Sequence, residues 1–259
     1  MARPNTGYAT VSRGLSSRPK AWLMALALIS LAIVSIPLVY LGVRAGEIPF
    51  AQIVEILSRP QVATVALNTI ALAISVSLSA LTLGTMIAGI LQRLLIGANR
   101  TWLLISALPL AVPSYLASYG WLVVTPGVHG FFPSYVLLTA VTIPYVILPV
   151  AAALRGTSAD AEAVARTLGR GPIAAFWQVT WPRVRPAAIA GALLVFLYTL
   201  SDFGLVSMLR FPTLTWGVQQ AYASSFDRSQ ASILALLLVV IAFVVVIAER
   251  SASGLVSPT

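Results

Sequence analysis

An all-α membrane protein that crosses the bilayer six times is the fold class this sequence predicts, and three observations carry it. Of 259 residues, 59% are hydrophobic and 9% charged, with a mean hydropathy of +0.93. A soluble domain carries about 25% charged residues. The apolar residues form continuous runs of span length, at 21–43, 62–91, 102–124, 135–154, 187–208 and 231–248. About 20 such residues cross a hydrocarbon core about 30 Å thick, and their continuity selects helices over the alternating strands of a barrel. The third observation is where the cations lie. With a cytoplasmic N-terminus, the inside segments hold Arg3, Arg13, Arg18, Lys20, Arg93, Arg100, Arg155, Arg166, Arg170, Arg183, Arg185 and Arg250. The outside segments (47–61, 125–134 and 209–230) and the adjoining Arg44 contribute only that residue, Arg59, Arg210 and Arg228. Twelve of the 16 basic residues thus fall inside, as the positive-inside rule requires. Both termini are expected in the cytoplasm, and the net charge of +9 reads as topology rather than as affinity for nucleic acid.

Residues 1–20 are polar, with Gly, Ser, Pro and Arg scattered without period, and read as a flexible cytoplasmic tail. The first apolar run is long and has no small-residue cleavage site, so an uncleaved span is expected rather than a removed signal peptide. After it, Ile48, Phe50, Ile53, Val54 and Leu57 face one way and Gln52 and Glu55 another. This pattern suits a short helix in the outer interface, or an ordinary amphipathic linker. The second run exceeds the length of a span and should tilt or project from the bilayer. Its Ser75, Ser77, Ser79, Thr82, Gly84, Thr85 and Gly89 permit close helix packing in lipid. Pro109 and Pro113 lie inside the third run, Pro144 and Pro149 inside the fourth. Proline frees a backbone carbonyl and kinks a span, which is tolerated where neighbours or a water-lined cavity satisfy it. The six-span domain covers 21–250, and 251–259 reads as a second cytoplasmic tail. The chain has no cysteine, which excludes disulfides and thiolate metal sites.

The segment 155–186, between the fourth and fifth runs, is polar and rich in arginine. Ser158 suits the cap of a short helix, with Asp160 and Glu162 in its first turn, where the helix dipole favours anions. Arg166 falls in the last turn, and Gly169 where a left-handed terminus is needed. Gly171 and Pro172 restart the chain, Pro172 at a first helical position. In the second helix Ile173, Phe176, Trp177 and Thr180 share a face by spacing, and Pro182 and Pro186 are expected to stop it before the fifth span. Such a hairpin either docks a cytoplasmic partner or lies on the lipid headgroups, anchored by Phe176, Trp177 and Trp181.

This segment resembles the EAA loop of bacterial ABC-importer permeases, whose pattern is Glu-Ala-Ala, three residues, Gly, nine residues, Ile, one residue, Leu-Pro. Anchored on Gly169, the pattern places Val179 at the Ile, Trp181 at the Leu and Pro182 at the proline. The triplet falls on Ala163, Val164 and Ala165, so its glutamate is absent. Glu162 stands one residue earlier, at a second acidic position of the family. The resemblance extends from about Asn68 to Glu249: Asn68-Thr69 looks like the start of the permease core. Ser201-Asp202-Phe203-Gly204 and the following Arg210 resemble one half of the two-repeat permeases that import ferric iron, relatives of the thiamine, sulfate and polyamine permeases. No internal repeat is visible, so the chain reads as a half-size permease or a fragment of a two-repeat one. The resemblance implies an ABC-importer permease core in the bacterial inner membrane, with a cytoplasmic helix–turn–helix that couples to an ATPase through Asp160, Glu162, Ala165, Arg166, Gly169, Phe176, Val179 and Pro182. It also implies ABC ATPase subunits carrying ATP and Mg, a solute-binding protein, and a second six-span unit as homodimer or heterodimer. The leading substrate is ferric iron; thiamine, a sulfate-like anion or a polyamine stay open.

Asp202 lies near the outer end of the fifth run. An acid at membrane depth is a functional-site hypothesis, although near a span end it can reach interfacial water or pair with Arg210. Tyr115, Tyr119, Tyr135, Tyr145 and Tyr198 either line a polar path or serve as interface and packing aromatics. His129 is the single histidine and reads as a solvated loop residue, since a metal site needs several converging ligands. The sequence has no GxxxxGK[ST] phosphate loop and no Ser/His/Asp or paired-carboxylate arrangement. A transport subunit without chemistry or cofactor of its own is therefore expected. The alternative of another class, a membrane-embedded enzyme or signalling anchor, would need catalytic side chains or an output domain.

Overall fold

The computed structural model describes residues 21–94, 99–155, 159–224 and 228–254. Among them every regular element is helical. The chain runs through α1 (Ala21–Gly46), α2 (Phe50–Ser58), α3 (Pro60–Leu94), α4 (Asn99–Ala107), α5 (Ser114–Val124), α6 (Phe131–Thr142) and α7 (Pro144–Arg155). It continues through α8 (Ala159–Thr167), α9 (Pro172–Ala175), α10 (Trp181–Ser201), α11 (Gly204–Met208), α12 (Leu214–Ser224) and α13 (Arg228–Gly254). The tail at 1–20, residues 255–259 and Ser158 lie outside the described residues.

The centre is a three-helix crossing. α3, α7 and α10 make the most extensive contacts with one another, around the buried Leu72, Val76, Ala80, Val146, Val150, Val184 and Val195. Lipid is as apolar as these side chains, so close packing rather than escape from water holds such helices together. Two glycines permit that closeness. A Cβ on Gly191 would stand 2.6 Å from the Tyr145 carbonyl oxygen and 2.9 Å from Val146 Cα, and one on Gly84 would stand 2.8 Å from Val146 Cβ. The small residues of the second run thus serve packing at Gly84 and the buried Ser77, while Ser79 shares a 2.6 Å hydrogen bond with Tyr135. α1 stands apart against α13, its span unburied by protein. The end of the bundle that carries residues 159–180 is the loop end; the opposite end holds α2, α11, α12 and the start of α13.

Four expectations need correction. First, the third run is not one helix. A 3-10 turn at Leu108–Ala111 follows α4, and the segments Thr101–Ala111 and Ser114–Val124 meet at 85°. Val112 is extended because the residue before Pro113 is driven out of the helical region. Five helices are therefore long and apolar enough to cross a membrane, or up to six if the bent pair is one span. The second correction concerns the fifth run, which begins earlier and ends sooner than read. Pro182 and Pro186 do not stop the loop's second helix: Pro172–Ser201 forms one candidate span. A π turn at Phe176–Thr180, closed by Trp181 N–H to Phe176 O, widens the ladder where Pro182 would otherwise clash. Asp202 is extended and ends α10, so residues 204–208 form the separate α11 against α5. Third, the apolar residues of α2 do not share one environment. Of the residues expected on one face, Ile48, just before α2, is buried and Ile53 half-buried against Val62, Val65 and Leu214, together with Ile56, while Phe50, Val54 and Leu57 are exposed. Fourth, α13 continues to Gly254, past the expected boundary at 250.

Candidate functional site

At the loop end, two helices form a hairpin whose turn is set by backbone conformation. Gly169 has φ of 85°. Arg170 N–H donates to Ala165 O at 3.2 Å and Gly169 N–H to Arg166 O at 3.0 Å, which closes α8 with a Schellman motif. Gly171 is extended and Pro172 opens α9, as the spacing predicts. The two arms are tied across the hairpin: Thr180 Oγ1 donates to Glu162 Oε2 at 2.9 Å. Glu162 therefore acts as a strut inside the loop. Ala165 and Ala175 are buried between the arms.

The surface turned outward carries several apolar side chains among Arg166, Thr167 and Arg170. Leu168 is 76% and Ile173 74% exposed, with Val164 and Trp177 beside them in exposure. The face expected to hold Ile173, Phe176, Trp177 and Thr180 is split, because the π turn shifts the phase of the helix: Thr180 is buried while Ile173 and Trp177 are exposed. Arg166 and Pro182 are exposed and Val179 half-buried. The side chain of Asp160 lies outside the described residues. Phe176, Trp177 and Trp181 form an edge-to-face cluster, with Trp177 and Trp181 centroids 5.3 Å apart. Together with α3 residues such as Leu81, Thr85 and Met86, this cluster lines an apolar groove of about 690 Å³.

At the far end, Asp202 is buried and serves as a structural node. Its Oδ1 accepts from Leu205 N–H at 2.9 Å, capping α11. Its backbone carbonyl accepts from Thr215 Oγ1 at 2.9 Å. The expected alternative of a pair with Arg210 is not formed: the two ion pairs among the described residues are Arg44–Glu47 and Arg59–Glu55. Arg210 is exposed, with φ of 52°. Tyr115 and Tyr119 are exposed on α5, whereas Tyr145 is half-buried and meets Tyr198, ring centroids 5.9 Å apart. The pathway candidates are thus not gathered in one place.

The Asn68-Thr69 pair has a geometry that the sequence did not disclose. Asn68 Nδ2 donates to Pro212 O at 2.9 Å, and Thr69 Oγ1 accepts from Leu214 N–H at 2.8 Å. These bonds clip the strap between α11 and α12 onto α3. Thr215 was missed as a site residue, and Thr69 was noted only as part of the Asn68-Thr69 resemblance; both are common polar residues whose partners lie outside their own helix turn. Among the described residues, no group of three or more His, Asp or Glu side chains is placed to hold a metal.

Residues 80–251 match the family described as binding-protein-dependent transport system inner membrane component. The chain belongs to that family. It is similar to the Fe(3+)-transport system permease protein FbpB 2 of Haemophilus influenzae, 32% identical over 90% of this chain and 46% of that protein. Over 84% of each chain it is 26% identical to a probable molybdenum ABC transporter permease protein of Haloferax volcanii. The sulfate transport system permease protein CysT of Salmonella typhimurium is 26% identical over 76% of each. The chain spans about half the length of the first of these relatives. Family membership makes it a membrane component of a transport system rather than an enzyme.

Proposed function

We propose that this chain is the permease subunit of an ATP-driven importer in the bacterial inner membrane, with both termini in the cytoplasm and the hairpin 155–186 as its coupling loop. The observation that carries this reading is the hairpin itself. Its arms are locked by the Gly169 turn and the Thr180–Glu162 bond, yet Val164, Leu168 and Ile173 point away from the chain. An internally braced helix pair that leaves its apolar side chains bare suits docking to a partner, which here is an ATPase subunit carrying ATP and Mg. Ala165, Arg166, Phe176, Val179 and Pro182 complete the loop, and Asp160 belongs to it by sequence position. A solute-binding protein delivers the solute at the far end, and ATP-driven closure of the ATPase pair alternates access.

An ATPase pair offers two docking grooves, so a second copy of this chain, or a second six-span unit, completes the pathway around a two-fold axis. Ferric iron is the leading cargo, supported by the Haemophilus influenzae relative, which aligns with 90% of this chain. The second reading is an oxyanion, favoured by the molybdenum and sulfate relatives, which align over most of their own length.

The experiment is co-purification with candidate ATPases, followed by ATP hydrolysis in nanodiscs with solute-binding proteins loaded with ferric iron, molybdate or sulfate. Stimulation by the iron-loaded protein alone is expected. Stimulation by an oxyanion-loaded protein would transfer the cargo to the second reading, and failure to bind any ATPase would remove the permease reading. Orientation is checked by an impermeant thiol reagent, which should label His129→Cys from outside and not Arg170→Cys.

A further inference from the structure

We infer that the far-end surface made by Val128, His129, Phe132 and Arg210 is where this chain receives its solute-binding protein, the Arg210 guanidinium taking a carboxylate of that protein. The inference rests on the permease reading above. Its starting point is a backbone conformation. Arg210 is the one non-glycine residue with positive φ among the described residues. It closes α11 as Gly169 closes α8: Phe211 N–H donates to Val206 O at 2.9 Å and Arg210 N–H to Ser207 O at 3.1 Å. Glycine is the residue that this position favours, because a Cβ there crowds the following carbonyl oxygen. An arginine sits where folding alone would select glycine.

Among the described residues no contact of the side chain offsets that cost. Among the described residues the guanidinium has no hydrogen bond or ion pair, whereas Arg44 and Arg59 each hold a glutamate, at 2.8 and 3.0 Å. Asp202, the acid nearest in sequence, is buried and already engaged by Leu205 N–H.

The surroundings hold Arg210 in place. Leu209 and Phe211 on either side are buried, and Phe211 meets Phe131 edge to face at 5.5 Å. Gly130 N–H donates to Leu209 O at 2.7 Å, which joins the α5–α6 loop to this turn. That loop is braced by Trp121 Nε1 donating to Val128 O at 3.1 Å, and it turns through positive φ at Gly127 and Gly130. Val128 and His129 are exposed on it, and Phe132 is exposed at the start of α6. An unpaired guanidinium on a fixed backbone, beside bare apolar side chains, is suited to protein docking: the apolar rim excludes water and the fork selects a carboxylate. Arg210 is exposed rather than set among converging donors, which fits a carboxylate on a protein surface and not an enclosed small anion.

The test is association kinetics on the nanodisc complex, using the solute-binding protein that stimulates its ATP hydrolysis. Arg210→Gly should still co-purify with the ATPase subunits and melt no lower than the parent. Its association should be about tenfold slower at low salt, with the difference closing as salt screens the charge. Arg210→Lys should keep most of the rate, and solute-free and loaded binding protein should lose equally. An unchanged rate and salt slope for Arg210→Gly would overturn the assignment. So would a lower melting temperature with normal association, a loss confined to the loaded protein, or a loss that follows anionic lipid content. A parent complex that no binding protein stimulates would bring down the import reading itself, through a measurement that does not involve Arg210, and the docking contact with it.

Discussion

At the crossing of α3, α7 and α10, Gly84 and Gly191 are required by space; at the end of α8, Gly169 is required by the sign of φ. A Cβ on Gly191 would stand 2.6 Å from a backbone oxygen, whereas one on Gly169 would meet nothing within 4 Å. The crossing lies in the middle of the bundle, where helices in lipid are held by close packing, so any added atom pushes the helices apart. The turn at Gly169 is open, and its glycine sets only the direction in which the chain leaves α8. The same residue type is a packing device in one region and a hinge in the other. On the importer reading proposed above, stability and coupling should therefore be separable by mutation, the first at the crossing and the second at the hairpin.

The largest effect belongs to the crossing. Gly191→Val drives side-chain atoms into the Tyr145–Val146 backbone and should cost about 3 kcal/mol, the upper range for overpacking. Loss of monodisperse protein in detergent, or a large fall in melting temperature, is the expected readout. Parental stability would mean that α7 and α10 do not cross so closely. Next comes the clip at the far end. Thr69→Val keeps the shape but leaves the buried Leu214 N–H without its acceptor, at about 1–3 kcal/mol. Hydrogen exchange should quicken at Leu214 and little elsewhere, and unchanged protection there would refute the clip.

Gly169→Val should cost about 1 kcal/mol or more, confined to the hairpin. Melting should barely move while uptake per ATP hydrolysed falls. Gly169→Asn, which tolerates the left-handed region, should stay close to the parent. Coupled uptake at the parental level by the Val variant would dissolve the contrast between hinge and crossing. The smallest effect is expected for Thr180→Val. Glu162 is half-exposed and water replaces the lost donor, so the loss is about 0.5 kcal/mol. Faster tryptic cleavage at Arg166 or Arg170, with the melting temperature unchanged, is the measurement.

The sequence alone determined what depends on neighbours along the chain. Runs of apolar residues located the first, second and fourth spans to within a few residues, the second one rightly overlong at Pro60–Leu94. The positive φ at Gly169 and the helix start at Pro172 followed from the conformational limits of glycine and proline. These signals are local because hydropathy and allowed φ belong to single residues and their adjacent turns. Tertiary structure alone decided the rest. Pro113 bends its run by 85°, yet Pro182 leaves its helix running, and the two prolines look alike until the π turn beside Pro182 is seen. Asp202 could have faced Arg210, but the first turn of α11 claims its carboxylate. Asn68 and Thr69 find Pro212 and Leu214 across more than 140 residues. A polar group buried in a membrane protein must be satisfied by whichever donor or acceptor packing brings beside it, and that neighbour is a property of the fold, not of the adjoining sequence.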